Sequence, residues 1–330
     1  MKAAYIKRPG PTDALLYGNF SDPEPGDQEV LVRVGASAVN PVDTYIRSGM
    51  ISLPIPLPYI PGLDFAGTVE AVGPGVKGRK PGDRVWGTNR GLMGRQGTCA
   101  EYVVANEGEI YRSPQGVPDD DLAALACVGI TAHLGLFQHA QLKPDETLFV
   151  TGGSGGVGSS VVQMAKIRGA RVITTARTKA KADICRKFGA DEVIRYKEQN
   201  VAEAVRKLVP GGIHVWFETT RQPNFELTVP LLCQGGRMVI MAGRDAAPAF
   251  PVGPFYVKDC RLLGYALFNT SAAIQARCAR DINQWVGQGR LRAHICKTMP
   301  LSDAAQAHRI QEQNTIQGMG TLSGKIILKP

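Results

Sequence analysis

One glycine-rich stretch carries the most chemistry in the chain: Gly152-Gly153-Ser154-Gly155-Gly156-Val157-Gly158. Gly153, Gly155 and Gly158 satisfy the spacing G-x-G-x-x-G, between the apolar run Leu148-Phe149-Val150-Thr151 and an amphipathic segment, Ser159–Arg168. That spacing means little alone, but strand, glycine turn and helix in succession is the context in which it binds a dinucleotide. Glycines permit the tight turn and let the backbone approach a pyrophosphate, whose charge is met by free N–H groups at the helix N-terminus. An ordinary glycine-rich turn between a strand and a helix is the competing reading.

The next strand bears on which dinucleotide. It reads Arg171-Val172-Ile173-Thr174-Thr175, followed by Ala176-Arg177-Thr178-Lys179-Ala180-Lys181. An NAD-type site places Asp or Glu here to accept from the ribose 2′-hydroxyl. The first acid is Asp183, already inside the following helix, while Arg177, Lys179 and Lys181 offer cations where a 2′-phosphate would sit. NADPH is the expected nucleotide; a solvated basic helix start is the alternative.

These residues need a scaffold, and hydrophobic periodicity supplies one. Apolar runs recur at Thr147–Thr151, Arg171–Thr175, Glu192–Tyr196, His214–Phe217, Arg237–Met241 and Arg261–Tyr265, 21 to 24 residues apart. Helix-period segments fill the gaps, clearest at Ser159–Arg168 and Val201–Val209. This alternation predicts an α/β domain, a doubly wound parallel sheet of Rossmann type, over residues 123–268. Residues 1–122 differ. Short β-like runs such as Glu29–Val34 and Gly67–Val72, punctuated by Gly and Pro, predict a β-rich barrel-like or sandwich-like domain. Asp119-Asp120-Asp121 reads as a helix start. After residue 269 come a helical segment, Ser271–Gln288, a strand near Ala293–Thr298, a helix opening at Ser302-Asp303 and the β-like Lys325–Leu328. This tail is too short for a third domain and is expected to complete the first.

Composition narrows the class. The 38 glycines among 330 residues exceed the usual share of about 7%. A net charge of +9 leaves an anionic partner open. No unbroken apolar window of 18 residues occurs, so no membrane-spanning helix is expected. The N-terminus lacks the long apolar stretch of a secretory signal. Seven dispersed cysteines without a CxxC pair are poor material for disulfides or a zinc ribbon, which points to the cytoplasm.

Several longer strings are recognisable: Val39-Asn40-Pro41-Val42-Asp43-Thr44-Tyr45-Ile46-Arg47-Ser48-Gly49, Pro61–Gly67, Gly78–Val85, Ala100-Glu101-Tyr102, Ser154–Gly158 and Gly324–Leu328. With them the chain resembles, over nearly its whole length, the zinc-independent medium-chain dehydrogenase/reductases, and within them the zeta-crystallin-like quinone oxidoreductases. The resemblance implies a GroES-like catalytic domain built from both chain ends, 1–122 and 269–330, around the inserted Rossmann domain. It also implies a homodimer or homotetramer. Zinc-dependent relatives carry a Cys near Val42-Asp43 and a His-Glu pair where this chain has Leu63-Asp64. Cys127 alone falls where they place a later ligand, too few for a catalytic zinc, and reads as a small buried hydrophobe.

By the same resemblance, Asn40, Tyr45 and Thr131 approach the nicotinamide, with Tyr45 able to donate a hydrogen bond to a carbonyl oxygen or simply to pack. Ser154, Gly155, Gly156 and Val157 would cradle the pyrophosphate. Arg177 and Lys181 would face the 2′-phosphate, with Tyr196 near the adenosine. Met241, Ala242, Gly243 and Arg244, and then Ala266, Leu267 and Phe268, would meet the nicotinamide end. The stretch Gln317–Ser323 before Gly324-Lys325 departs from the family pattern, so no cofactor contact is carried over from the tail. The implied activity is NADPH-dependent, metal-free quinone reduction. The alternatives are reduction of an enone or enal double bond, another small conjugated electrophile, and a nucleotide- or RNA-binding protein with little catalysis.

Overall fold

Alternating burial from Glu29 makes a strand with one wet face, and it runs on to Val39 because Ala36–Val39 is buried on both faces. In the computed structural model, which describes residues 1–330, this strand is the spine of one of two units. The first unit comprises Met1–Val128 with Ser271–Pro330; the second is Gly129–Thr270.

The first unit begins with an antiparallel pair, β1 (Lys2–Tyr5) and β2 (Leu16–Asn19). Next come β3 (Glu29–Val39), helix α1 (Pro41–Ser48), β4 (Asp64–Val72), β5 (Arg84–Gly87), β6 (Tyr102–Asn106) and β7 (Ile110–Arg112). The length of β3 gives it room for three partners. Val30–Ala38 pairs with β4, Glu29–Arg33 with β6, and Ser37–Val39 with the closing strand of the chain.

Helix α2 (Asp119–His133) starts at the three aspartates, whose charge suits a helix N-terminus. It continues through a π-helical turn, Leu134–His139. The division between the units falls within α2, after Val128, rather than at residue 122. The helical run Asp119–His139, 21 residues, is long and apolar enough by length and composition to cross a membrane. Its apolar window is 78% buried inside the protein, the behaviour of a core helix.

The second unit contains β8 (Thr147–Val150), α3 (Gly156–Arg168), β9 (Arg171–Ala176), α4 (Lys179–Lys187), β10 (Glu192–Arg195) and α5 (Val201–Leu208). It continues with β11 (Ile213–Glu218), α6 (Phe225–Thr228), β12 (Leu232–Ile240), α7 (Val252–Val257) and β13 (Arg261–Gly264). All six strands are parallel, in the order β10-β9-β8-β11-β12-β13. This is the doubly wound Rossmann order, with its switch point between β8 and β11. β12 begins five residues before the expected Arg237, because Leu232 pairs with Ile213 ahead of a register irregularity. The glycines at 235 and 236 hide that early pairing from a reading of apolar runs.

The tail returns to the first unit as α8 (Ala272–Gly287), β14 (Ile295–Pro300), α9 (Ala304–Thr315) and β15 (Lys325–Lys329). Ser271 and Gln288 are the caps of α8. β14 sits two residues later than expected, held by parallel pairing of Ile295 with Lys325. Asn283 of α8 accepts from the Trp86 indole at 2.9 Å and donates to the Arg112 carbonyl at 2.8 Å, joining the two chain ends.

Candidate cofactor and catalytic sites

In the second unit the chain leaves β8 into a loop whose shape is fixed by hydrogen bonds to its neighbours. Gly152 turns at φ +65°, a conformation glycine adopts without a Cβ penalty. Its N–H donates to Thr175 Oγ1 at 2.9 Å, and Gly153 N–H donates to the Thr175 carbonyl at 3.3 Å. Thr151 Oγ1 donates to Glu218 Oε1 at 2.7 Å and accepts from Thr219 N–H at 2.8 Å. A Cβ on Gly153 would collide with the Thr174 side chain, and one on Gly158 with the Gly152 carbonyl. Both glycines are therefore demanded by packing. Ser154 is buried, whereas Gly155, Gly156 and Val157 are half-buried. Gly155 caps α3 without a side-chain acceptor, so the first-turn N–H groups keep their capacity for an anion. The loop fits a pyrophosphate.

The cationic end lies at the next two strands. Tyr196 N–H, just past β10, donates to the Ala176 carbonyl at 3.3 Å, which sets Tyr196 beside Arg177. Thr178 caps α4 by accepting from Lys181 N–H. Arg177 and Lys181 are half-buried while Lys179 is exposed. Asp183 pairs with Arg186 at 2.8 Å on the exposed side of α4. Tyr196 is exposed, with Lys197 Nζ 6.0 Å from its ring centroid.

Beyond β12, Met241, Ala242 and Gly243 are half-buried and Arg244 is exposed. Gly243 takes φ +87°, and a Cβ there would lie 2.8 Å from the Arg221 carbonyl. Beyond β13, Ala266 is half-buried, Leu267 buried and Phe268 exposed. Tyr265, not foreseen from the sequence, donates its hydroxyl to the Thr131 carbonyl at 2.5 Å and stacks on His139 at 4.6 Å. It ties Thr131 to the Ala266–Phe268 segment. Every one of these segments leaves the carboxyl end of a strand, where ligands bind in doubly wound sheets.

The first unit gathers a buried polar network by strand register. Val39 pairs with Ile326, so Asn40, the residue just past β3 that caps α1, comes beside Lys325; Ala38 pairs with Asp64 across the other edge. Lys325 Nζ donates to Asn40 Oδ1 at 2.5 Å and lies 3.6 Å from Asp64 Oδ2. Asn40 Nδ2 donates to Asp64 Oδ2 at 2.8 Å, so the Asn40 amide is engaged inside the unit. Asp64 Oδ1 accepts from Thr88 Oγ1 at 2.6 Å and from Cys127 N–H at 3.0 Å. Asp43 Oδ2 accepts from Asn40 N–H at 2.7 Å, while its Oδ1 is buried without a partner. Burial pushes the Asp43 carboxyl up to about 8, with Asp64 adding to the rise. Burial raises Asp64 as well, opposed chiefly by Lys325.

Tyr45 is half-buried on α1. That helix is fastened to α9 by the buried Arg47, which pairs with Glu312 and donates to the Gly10 carbonyl. The fully buried His308 nearby is held neutral, its pKa pushed down to about 3 by burial and by the Arg47 charge.

Cys127 is half-buried rather than buried, and packs at the margin of the core around Val39 and Ile46. No three His, Cys, Asp or Glu side chains converge on a common metal position. Asp64 already has its hydrogen bonds, and the Lys325 ammonium stands beside it where a cation would be, so this donor set does not fit zinc. Asp64 and Lys325 both lie in recognisable strings, Pro61–Gly67 and Gly324–Leu328, which was the available signal. Thr88, Thr151, Thr175, Glu218 and Tyr265 carried none.

Comparison with known proteins places this geometry. Residues 26–115 match the alcohol dehydrogenase GroES-like domain, and residues 156–281 match the family described as zinc-binding dehydrogenase. Quinone oxidoreductase from Sus scrofa is 36% identical over 97% of this chain and 94% of its own. The crystal structure of Escherichia coli quinone oxidoreductase complexed with NADPH superposes with a TM-score of 0.88 at 26% identity, covering 100% of both chains. An NAD-dependent alcohol dehydrogenase structure gives 0.90 at 29% identity, again over 100% of both. Fold similarity thus spans both nucleotides, and only residues can decide between them. The chain belongs to the zeta-crystallin-like quinone oxidoreductase family of the medium-chain dehydrogenase/reductases.

Proposed function

We propose that the protein is an oxidoreductase that uses NADPH to reduce quinones without a metal. One observation carries the choice of nucleotide: Arg177, first after β9, and Lys181, in the first turn of α4, are both half-buried, and the first acid that follows them, Asp183, is paired with Arg186. The curated relatives named quinone oxidoreductase, and the NADPH complex of the Escherichia coli protein, support the same reading.

When bound, NADPH supplies the hydride. Gly156 and Val157 would hold the pyrophosphate through backbone N–H groups, with Ser154 and Gly155, whose own N–H donates to the Gly152 carbonyl at 2.9 Å, shaping the turn. Arg177 and Lys181 hold the 2′-phosphate by charge-assisted hydrogen bonds, and Tyr196 flanks the adenosine. Met241–Arg244, Ala266–Phe268 and Thr131 bound the nicotinamide end. By the family resemblance, the Tyr45 hydroxyl would donate to an acceptor oxygen as charge builds there, which would favour the transition state over the ground state. Solvent supplies the proton that completes the two-electron reduction.

An enone or enal is the other flat electrophile this arrangement would take. Oxidation of NADPH followed at 340 nm against a panel of both classes separates them. Turnover fastest with quinones is the expected result; turnover confined to enones, or none with either, would contradict it.

We also infer a cytoplasmic homodimer or homotetramer. The seven thiols are free, which suits a reducing compartment. β13 is an outer strand, its Leu262 is 40% exposed, and Val252, Tyr256 and Val257 of α7, the helix before it in the chain, are 62, 66 and 65% exposed. An open apolar edge invites pairing with a second copy. Sedimentation velocity should find no monomer at micromolar protein; a monomer would count against it.

A further inference from the structure

The network around Asn40 has a cost that a purely structural role would not require. Two carboxyl groups, Asp43 and Asp64, and the amine of Lys325 are withdrawn from water around Asn40. Replacing such groups by apolar residues of similar size is often neutral or stabilising, so burial of the set is weak grounds for calling it a stability device. What it does achieve is orientation. A side-chain amide can sit either way round, and here each end meets partners of the fitting kind: Lys325, donor only, at Oδ1, and two acceptors at Nδ2, Asp64 at 2.8 Å and the Ala38 carbonyl at 3.4 Å. A reversed amide would set N–H against the ammonium and oxygen against the carboxylate.

Asn40 is also the residue that caps α1, the helix bearing Tyr45. Its backbone N–H is held by Asp43 and its amide by residues of β4 and β15. Resting on the reading of Asn40 and Tyr45 as site residues, we propose that Lys325 and Asp64 are positioning residues for quinone reduction, acting through Asn40. They hold its amide in one orientation and so fix the start of the Tyr45 helix. The tail therefore serves the reaction by holding Asn40 and not by touching the nucleotide.

A double-mutant cycle tests this with N40A, K325M and N40A/K325M. Each single substitution should lower kcat for a benzoquinone about tenfold, the scale of a modest misplacement of reacting groups. The KM for NADPH should stay within about twofold. The double variant should lose no more than N40A alone, since residues acting in series do not add. Additive losses, or a raised KM for NADPH at unchanged kcat, would overturn the proposal. Should K325M not fold, K325M/D64N removes both charges of the pair; it should fold and keep the lowered kcat, and wild-type kcat in it would overturn the proposal.

A second readout needs no nucleotide. In cofactor-free protein labelled with 15N-asparagine, the Asn40 side-chain amide, identified by its loss in N40A, should exchange slowly with solvent. In K325M (or K325M/D64N) it should exchange fast, and unchanged protection there would overturn the proposal. Wild-type enzyme that turns over no quinone overturns the functional reading and this inference with it. Wild-type turnover with additive losses overturns this inference alone.

Discussion

Replacing Arg177 and Lys181 together with Ala should raise the KM for NADPH about 100-fold, the loss of two charge-assisted hydrogen bonds at about 1.5 kcal/mol each. The KM for NADH, which has no 2′-phosphate, should change less than about twofold, because truncating two half-exposed cations removes little else. The expectation rests on position. Arg177 is the first residue after β9, and Lys181 is in the first turn of α4. Both are half-buried where Lys179 is exposed. The backbone cradle at Gly155–Val157 is common to both nucleotides, so the substitution separates the part of the site that reads the phosphate from the part that reads the pyrophosphate. Steady-state kinetics with each nucleotide at saturating quinone measures it. An equal loss for NADH would mean that these cations support the loop and not the 2′-phosphate.

Asp43→Asn should flatten the pH dependence of stability. The sign follows from the raised carboxyl. Folded Asp43 titrates near 8, above its ordinary value of 3.8, so between those limits the folded state binds a proton that the unfolded chain releases. Stability from this group is complete below pH 3.8 and declines as pH rises toward 8, by about 1.4 kcal/mol per pH unit. From pH 5 to pH 7 the wild type should therefore lose roughly 3 kcal/mol relative to the variant. The amide that replaces the carboxyl keeps an oxygen to accept from Asn40 N–H, and so preserves the start of α1. Urea unfolding followed by tryptophan fluorescence at pH 5, 6 and 7 reads the difference, with Trp86 reporting on the same unit. Parallel curves for the two proteins would show that Asp43 is ionised in the folded state throughout.

The two predictions differ in how far the sequence could reach them. Arg177 and Lys181 could be proposed from the sequence because the nucleotide site they would belong to is local in it: one glycine loop, and one strand end about twenty residues on. The repeat of apolar runs at 21 to 24 residues likewise carried the whole Rossmann sheet, six parallel strands in their order. The network at Asn40 was only half visible. Its members lie at the junction of β3 and α1, on α1, on β4 and on β15, joined by register across 285 residues between Asn40 and Lys325. Periodicity assigns faces within a strand, but it does not say which strand ends meet. The same limit hid Tyr265 against Thr131, 134 residues apart, and Thr175 under the glycine loop. β3 and β12 were read too short for another reason. β3 becomes buried on both faces, and β12 passes through Gly235-Gly236, so neither keeps a simple alternation.

As proposed, this scaffold holds NADPH through its 2′-phosphate for delivery of hydride to a quinone. The most direct measurement is kcat/KM of the wild-type enzyme for NADPH and for NADH, side by side, with one benzoquinone as acceptor. The account predicts a preference for NADPH of about 100-fold, matching the two phosphate contacts assigned to Arg177 and Lys181. Equal values for the two nucleotides, or a preference for NADH, would contradict it.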